Sequence, residues 1–168
     1  VIALVLGGAR SGKSEVAERL CGSGAVTYVA TYVPTGPATD PDMAARIAAH
    51  RARRPAGWAT VEAGAGEVVG AVAGAGPGAV LLDSLTTWVA GADGFDVDVG
   101  GLCAALAGRR GDAVVVSDEV GMGVHPSTEA GRLFRDRLGE VNQQVAAVAD
   151  RVLLVVAGRT LTLDPLGG

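Results

Sequence analysis

Gly7-Gly8-Ala9-Arg10-Ser11-Gly12-Lys13-Ser14 follows the apolar run Val1-Ile2-Ala3-Leu4-Val5-Leu6 and precedes a helix-like segment, Glu15 to Leu20. The octet satisfies the pattern G-x-x-x-x-G-K-[ST], that of a phosphate-binding P-loop, and it sits in the strand, loop and helix order that the pattern requires. Each residue type has a task there. The glycines let the backbone aim N–H groups at phosphate oxygens, and the N-terminus of the next helix adds a favourable dipole. Lys13 is expected to reach the β- and γ-phosphates, and Ser14 to offer its hydroxyl to Mg2+. A glycine-rich turn that matched by chance would lack the flanking strand and helix. A nucleoside triphosphate site is therefore the working expectation.

Outside the loop, short apolar runs recur at Val1–Leu6, Val26–Ala30, Ala79–Leu82, Ala113–Val116 and Val152–Val156. Continuous Val, Leu and Ala runs are how strands buried on both faces read. Helical patterns lie between them at Ser14–Cys21, Pro41–Arg54, Leu102–Ala107 and Ser127–Ala149. This alternation predicts an α/β P-loop NTPase fold, a mostly parallel central sheet flanked by helices. Tyr32–Thr39 reads as a surface loop beside the nucleotide site, whereas Gly64–Gly78 and Ala90–Gly101 are too rich in Gly and Ala to assign.

The chain of 168 residues fits one domain, residues 1–168, large enough to bury a core without disulfides. Its composition is 49% hydrophobic and only 4% aromatic, so the core must be built from Ala, Val and Leu. A net charge of −4 offers no general attraction to nucleic acid or to an anionic membrane. Cys21 and Cys103 lack metal-ligand spacing and read as reduced thiols of a cytoplasmic protein. The longest uncharged stretch, Val68–Leu82, is broken by glycines and Pro77 and is too short to span a bilayer. The first residues are strand-like with no basic region before them, so no secretory signal is expected.

Two further sets of residues carry chemistry. On the expected helix Pro41–Arg54, Met43, Arg46, Ile47, His50 and Arg53/Arg54 share one stripe. Nearby cations favour a neutral imidazole and also bind phosphate, and a neutral imidazole can attack phosphorus. An ordinary solvated basic face accounts for the same spacing. The second set is acidic: Asp83 ends one apolar run, and Asp118-Glu119 end another, so either could supply the carboxylate that holds Mg2+. Gly121-Met122-Gly123 continue the second end into a glycine-rich segment, and His125 before Pro126 has only a weak claim to function.

Taken in order, these segments resemble the bifunctional adenosylcobinamide kinase/adenosylcobinamide-phosphate guanylyltransferase family of cobalamin biosynthesis. The resemblance rests on the P-loop, Ala30-Thr31, Met43-Ala44-Ala45-Arg46-Ile47 with His50 and Arg54-Pro55, then Trp58, Glu62 and Leu81-Leu82-Asp83. Leu85-Thr86-Thr87, Glu119-Val120-Gly121-Met122-Gly123, Arg132, Phe134-Arg135-Asp136 and Val141-Asn142-Gln143 extend it across nearly the whole chain. It implies a cytoplasmic enzyme that phosphorylates adenosylcobinamide with GTP or ATP, then transfers GMP from GTP through a guanylylated histidine, here His50. Its expected nucleotide contacts are Gly7, Gly8, Ala9, Arg10, Ser11, Gly12, Lys13, Ser14, Ala30, Thr31, Tyr32, Arg51, Ala52, Arg53, Arg54, Glu62 and Asp83. Lys13 and His50 are the expected catalytic groups, Ser14 and Asp83 the expected Mg2+ site, and a homotrimer the expected assembly. The chain departs from the family pattern at Asp118, where Asn is common, at His125, where an aliphatic residue is common, and at Tyr32, which replaces a small polar residue of some members. A monofunctional P-loop small-molecule kinase and a nucleotide-dependent switch protein are the alternative readings.

Overall fold

The computed structural model describes residues 1–31, 55 and 57–165. Tyr32, the loop to Thr39, the helix expected over Pro41–Arg54 and with it His50 and Arg51–Arg54 lie outside the described residues. Along the described chain come β1 (Ile2–Gly7), α1 (Lys13–Leu20), β2 (Val26–Ala30), β3 (Ala59–Glu62), α2 (Val68–Gly74), β4 (Ala79–Asp83) and α3 (Leu85–Ala90). A short 3-10 turn (Asp93–Phe95), α4 (Val99–Ala107), β5 (Ala113–Asp118), α5 (Glu129–Val148), β6 (Arg151–Val156) and β7 (Arg159–Leu163) complete it.

The seven strands form one sheet in the order β3-β2-β4-β5-β1-β6-β7. Every neighbouring pair is parallel except β6–β7, which is an antiparallel hairpin. The apolar runs alternate between two cores, as a period of two requires. Leu4, Leu6, Val29, Val80, Leu82 and Val115 face one side, where Val72 of α2, Leu85 and Trp88 of α3, Leu102 and Leu106 of α4 and Leu138 and Val145 of α5 cover them. Val5, Val26, Tyr28, Leu81, Val114, Val116 and Val155 face the other, with Ala17 of α1 and Cys21 against them. The helices thus lie on both faces, and the C-terminal ends of the six parallel strands, β1 to β6, point to the same edge.

The elements that sequence did not assign have physical reasons for being there. Glycine-rich α2 has poor helix propensity, yet Val68 and Val72 are fully buried, so packing decides it. The turn after α2 is held by Arg109, whose guanidinium donates to the carbonyls of Val72, Ala75, Gly76 and Gly78 at 2.8–3.1 Å. Helix α4 begins at Val99, ahead of the Leu102 expected, because the Asp98 side chain accepts from the Gly101 N–H and caps it. Helix α5 begins at Glu129 with Thr128 as its cap, its hydroxyl accepting from the Gly131 N–H at 3.0 Å. Cys21 is buried, which with nearby Glu18 and Asp112 pushes its thiol up to about 12; burial also raises Cys103, and both are free thiols.

Candidate nucleotide site

The P-loop connects the end of β1 to the start of α1, and its shape is set by residues that cannot be enlarged. A side chain at Gly7 would put Cβ 2.5 Å from Ser11 Oγ and 2.8 Å from the Val155 carbonyl oxygen. Gly12, the residue that caps α1, has φ +94°, a region that L side chains rarely adopt. The loop closes on itself through the Ser11 N–H to the Gly8 carbonyl at 3.3 Å. It is also buttressed from outside. The β6–β7 hairpin turns on Ala157 (φ +51°) and Gly158 (φ +72°), a primed two-residue turn, and the Gly158 N–H donates to the Ser11 carbonyl at 2.8 Å.

Lys13 opens α1 and its ammonium lies 2.6 Å from Asp118 Oδ1 and 3.2 Å from the Gly8 carbonyl oxygen. Both side chains of the ion pair are mostly buried, with 14% and 25% exposed. Asp118 ends β5 opposite Gly7 in the β1–β5 register, so the topology delivers it to the P-loop. Its backbone is fixed on both sides: the Asp118 N–H donates to Thr86 Oγ1 at 2.9 Å, and Asn142 Nδ2 donates to the Asp118 carbonyl at 3.2 Å. One residue on, the Glu119 N–H donates to the Gly7 carbonyl at 3.2 Å.

Three of the expected contacts form a row across neighbouring strand ends. Ala30 of β2 pairs in register with Glu62 of β3 on one side and Asp83 of β4 on the other. The phenol of buried Tyr28 donates to the Asp83 carboxylate. Thr31 is tied to the next strand end, where its hydroxyl donates to the Ser84 carbonyl at 2.8 Å and accepts from the Ser84 N–H at 3.0 Å. That hydroxyl is thereby engaged in joining β2 to β4. Ser14 and Asp83 offer a hydroxyl and a carboxylate, hard oxygen donors of the kind Mg2+ takes, so the donor chemistry fits that ion.

His125 stands apart from this arrangement. It is exposed, and its Nδ1 lies 3.0 Å from the Arg135 guanidinium, a donor to that nitrogen. Arg132 donates to the carbonyls of Pro126 and Ser127 and pins the same loop to α5. Sequence reasoning left Tyr28, Thr86, Asn142 and Gly158 without roles. For Gly158 a signal existed: Ala157-Gly158 separates the runs Val152–Val156 and Arg159–Leu163, a hairpin signature. Thr86 and Asn142 act on a residue distant in sequence, and no local pattern announces that.

Strand β1, its glycine-rich turn, Lys13 at the start of α1 and a strand-end carboxylate beside it define a P-loop α/β nucleotide-binding protein. Residues 3–163 match the model of the family described as CobU, cobinamide kinase / cobinamide phosphate guanyltransferase, and the chain belongs to that family. It is 38% identical over 172 residues to the bifunctional adenosylcobalamin biosynthesis protein CobP of Pseudomonas aeruginosa, spanning 97% of this chain and 98% of that one. It is 39% identical over 176 residues to the bifunctional adenosylcobalamin biosynthesis protein CobU of Escherichia coli, spanning 92% of this chain and 95% of that one. Among solved structures, the P4 protein from bacteriophage phi6 in complex with ADP aligns over 95% of this chain and 53% of that longer one, with a TM-score of 0.44 and 14% identity.

Proposed function

We propose that this chain is the bifunctional transferase that phosphorylates adenosylcobinamide with GTP or ATP and then converts the product to adenosylcobinamide-GDP with GTP. The observation that carries the proposal is Lys13 at the mouth of a P-loop built to the family's sequence, its ammonium aimed at the loop's own Gly8 carbonyl and a neighbouring carboxylate. In the kinase step the aminopropanol hydroxyl of the corrinoid attacks the γ-phosphorus and releases its proton to solvent. The bond from that phosphorus to the β-bridging oxygen breaks, and the nucleoside diphosphate leaves. Lys13 and the loop N–H groups stabilise the charge that develops, which is most of what phosphoryl transfer asks of a protein. Ser14 and Asp83 would hold Mg2+, which when bound would supply further charge neutralisation on the phosphates.

In the second step a ring nitrogen of His50 attacks the α-phosphorus of GTP and pyrophosphate leaves. An oxygen of the corrinoid phosphate then attacks that phosphorus and displaces the imidazole, giving adenosylcobinamide-GDP. Support for His50 comes from its place beside Arg46, Arg53 and Arg54 in the sequence, which favours neutral imidazole and gathers phosphate. Ala30, Thr31, Tyr32, Arg51, Ala52, Arg53, Arg54, Glu62 and Asp83 complete the nucleotide contacts in this reading. The partners are a corrinoid and a nucleotide, and the working form is a cytoplasmic homotrimer, which a trimeric mass by light scattering checks. Among the described residues no helix is long and apolar enough to cross a membrane.

Incubation with α-labelled GTP tests the proposal. The wild-type chain should retain covalent GMP that is labile in acid and stable in base. His50→Ala should retain none and form no adenosylcobinamide-GDP, while still moving label from γ-labelled GTP or ATP to adenosylcobinamide. His125→Ala should keep the covalent label. Acid-labile GMP on the His50→Ala chain would remove the nucleophile assignment, and a wild-type chain that never takes label would leave a monofunctional kinase.

A further inference from the structure

We propose that Asp118 is a built-in counter-ion that holds the Lys13 ammonium in place until a polyphosphate displaces it, so that it positions the lysine at a cost in nucleoside triphosphate affinity. The inference rests on the reading of the P-loop as the nucleotide site. Its starting point is the 2.6 Å ion pair between the two side chains, which are shielded from solvent enough to resist full screening. Asp118 is no mobile surface acid. Its Cα is set by the pairing of β5 with β1, its N–H is held by Thr86 and its carbonyl by Asn142, so the backbone keeps the carboxylate within reach of the P-loop when Lys13 turns to a ligand.

Two electrostatic consequences follow for an incoming nucleotide. The pair's attraction is forfeited when Lys13 swings to phosphate, and a fixed negative charge then remains beside the phosphate oxygens. Only a ligand that brings more negative charge to Lys13 than one carboxylate carries can compensate for both. A triphosphate chain lying in the P-loop does so. A nucleoside monophosphate that leaves Lys13 on Asp118 neither meets the cost nor gains from the contact. Removing the charge of Asp118 should therefore strengthen binding of a nucleoside triphosphate and leave the monophosphate as it was.

The test is calorimetric titration of the full chain with GTP and with GMP, both in EDTA so that the charges of Lys13, Asp118 and phosphate are read without a divalent cation. Asp118→Asn should bind GTP roughly three- to tenfold tighter than wild type and GMP equally well, and the gain should shrink as salt is raised. Asp118→Glu retains the charge and should keep the wild-type ratio of GTP to GMP affinity. The proposal is overturned if Asp118→Asn binds GTP no tighter than wild type, if GMP gains as much as GTP, or if Asp118→Glu tightens GTP as the Asn variant does. A wild-type chain that binds no GTP overturns the nucleotide-site reading and this proposal together. Wild-type binding without the gain in Asp118→Asn overturns this proposal alone.

Discussion

Asp83 and Asp118 end neighbouring parallel strands, each after a run of buried apolar residues, and in sequence they look interchangeable. Their surroundings differ. Asp83 accepts from the neutral phenol of Tyr28, which belongs to β2 on the far side of β4 from the P-loop strand. Asp118 lies on the strand that pairs directly with β1 and meets the ammonium of Lys13. The phenol of Tyr28 is a neutral donor to the Asp83 carboxylate, whereas the Lys13 ammonium at ion-pair distance offsets the charge of Asp118. The comparison teaches that strand order, rather than the residue type at the strand end, decides which carboxylate meets Lys13.

The largest expected effect comes from breaking the Asp118 half of the comparison at its cation. Lys13→Ala should lower turnover of the kinase step by on the order of 10^3-fold, because no other P-loop side chain is placed to put an ammonium against the transferring group. It also leaves Asp118 without its partner beside the phosphates. Adding Asp118→Asn to Lys13→Ala should therefore recover part of the lost GTP affinity but not the turnover, a coupling that a double-mutant cycle reads directly. Near-normal phosphorylation of adenosylcobinamide by Lys13→Ala would show that phosphoryl transfer happens elsewhere. Neutralising the other carboxylate is the next largest effect. Asp83→Asn should reduce turnover of the kinase step by on the order of 10^2-fold and raise the Mg2+ concentration needed for half-maximal rate. If Asp118→Asn rather than Asp83→Asn shifts that Mg2+ dependence, the roles of the two strand ends are reversed.

Much of the region around Lys13 was legible because its signal is local. The strand, the spaced glycines and the helix start occupy thirteen consecutive positions from Ile2 to Ser14, and the buried runs that became β4 and β5 are nearly all apolar. Of the two edge strands, only β7 left a trace in the sequence, the Ala157-Gly158 turn before it. All of β3 and β7 is exposed, so no buried run marks either of them. The Lys13–Asp118 pair spans more than a hundred residues and depends on β5 being inserted between β4 and β1, which no stretch of sequence states. The same holds for Gly158 on Ser11, since the hairpin turn acts on the P-loop only after the chain has returned along β6. The helix expected to carry His50 lies outside the described residues, and its role rests on the arginines around it in the sequence.

The smallest expected effect sharpens the Asp83 half. Tyr28 is 3% exposed, and its ring packs in the same core as Val26, Leu81 and Val116, so Phe can replace it without leaving a cavity. Tyr28→Phe removes only the hydroxyl that donates to Asp83. A hydrogen bond to a charged carboxylate contributes about 1.5–3 kcal/mol, equivalent to a factor of about ten or more in an equilibrium constant. If the phenol serves to hold the carboxylate in the orientation that receives Mg2+, that loss should appear as a roughly tenfold higher Mg2+ requirement in the kinase step, with GTP affinity in EDTA unchanged. The melting temperature should fall by only a few degrees, as expected when one hydroxyl is removed from a domain of this size. A Tyr28→Phe chain with a wild-type Mg2+ profile and a lowered melting temperature would make the phenol a tie between β2 and β4 and nothing more. The contrast between the two strand ends would then rest on the charge beside Asp118 alone.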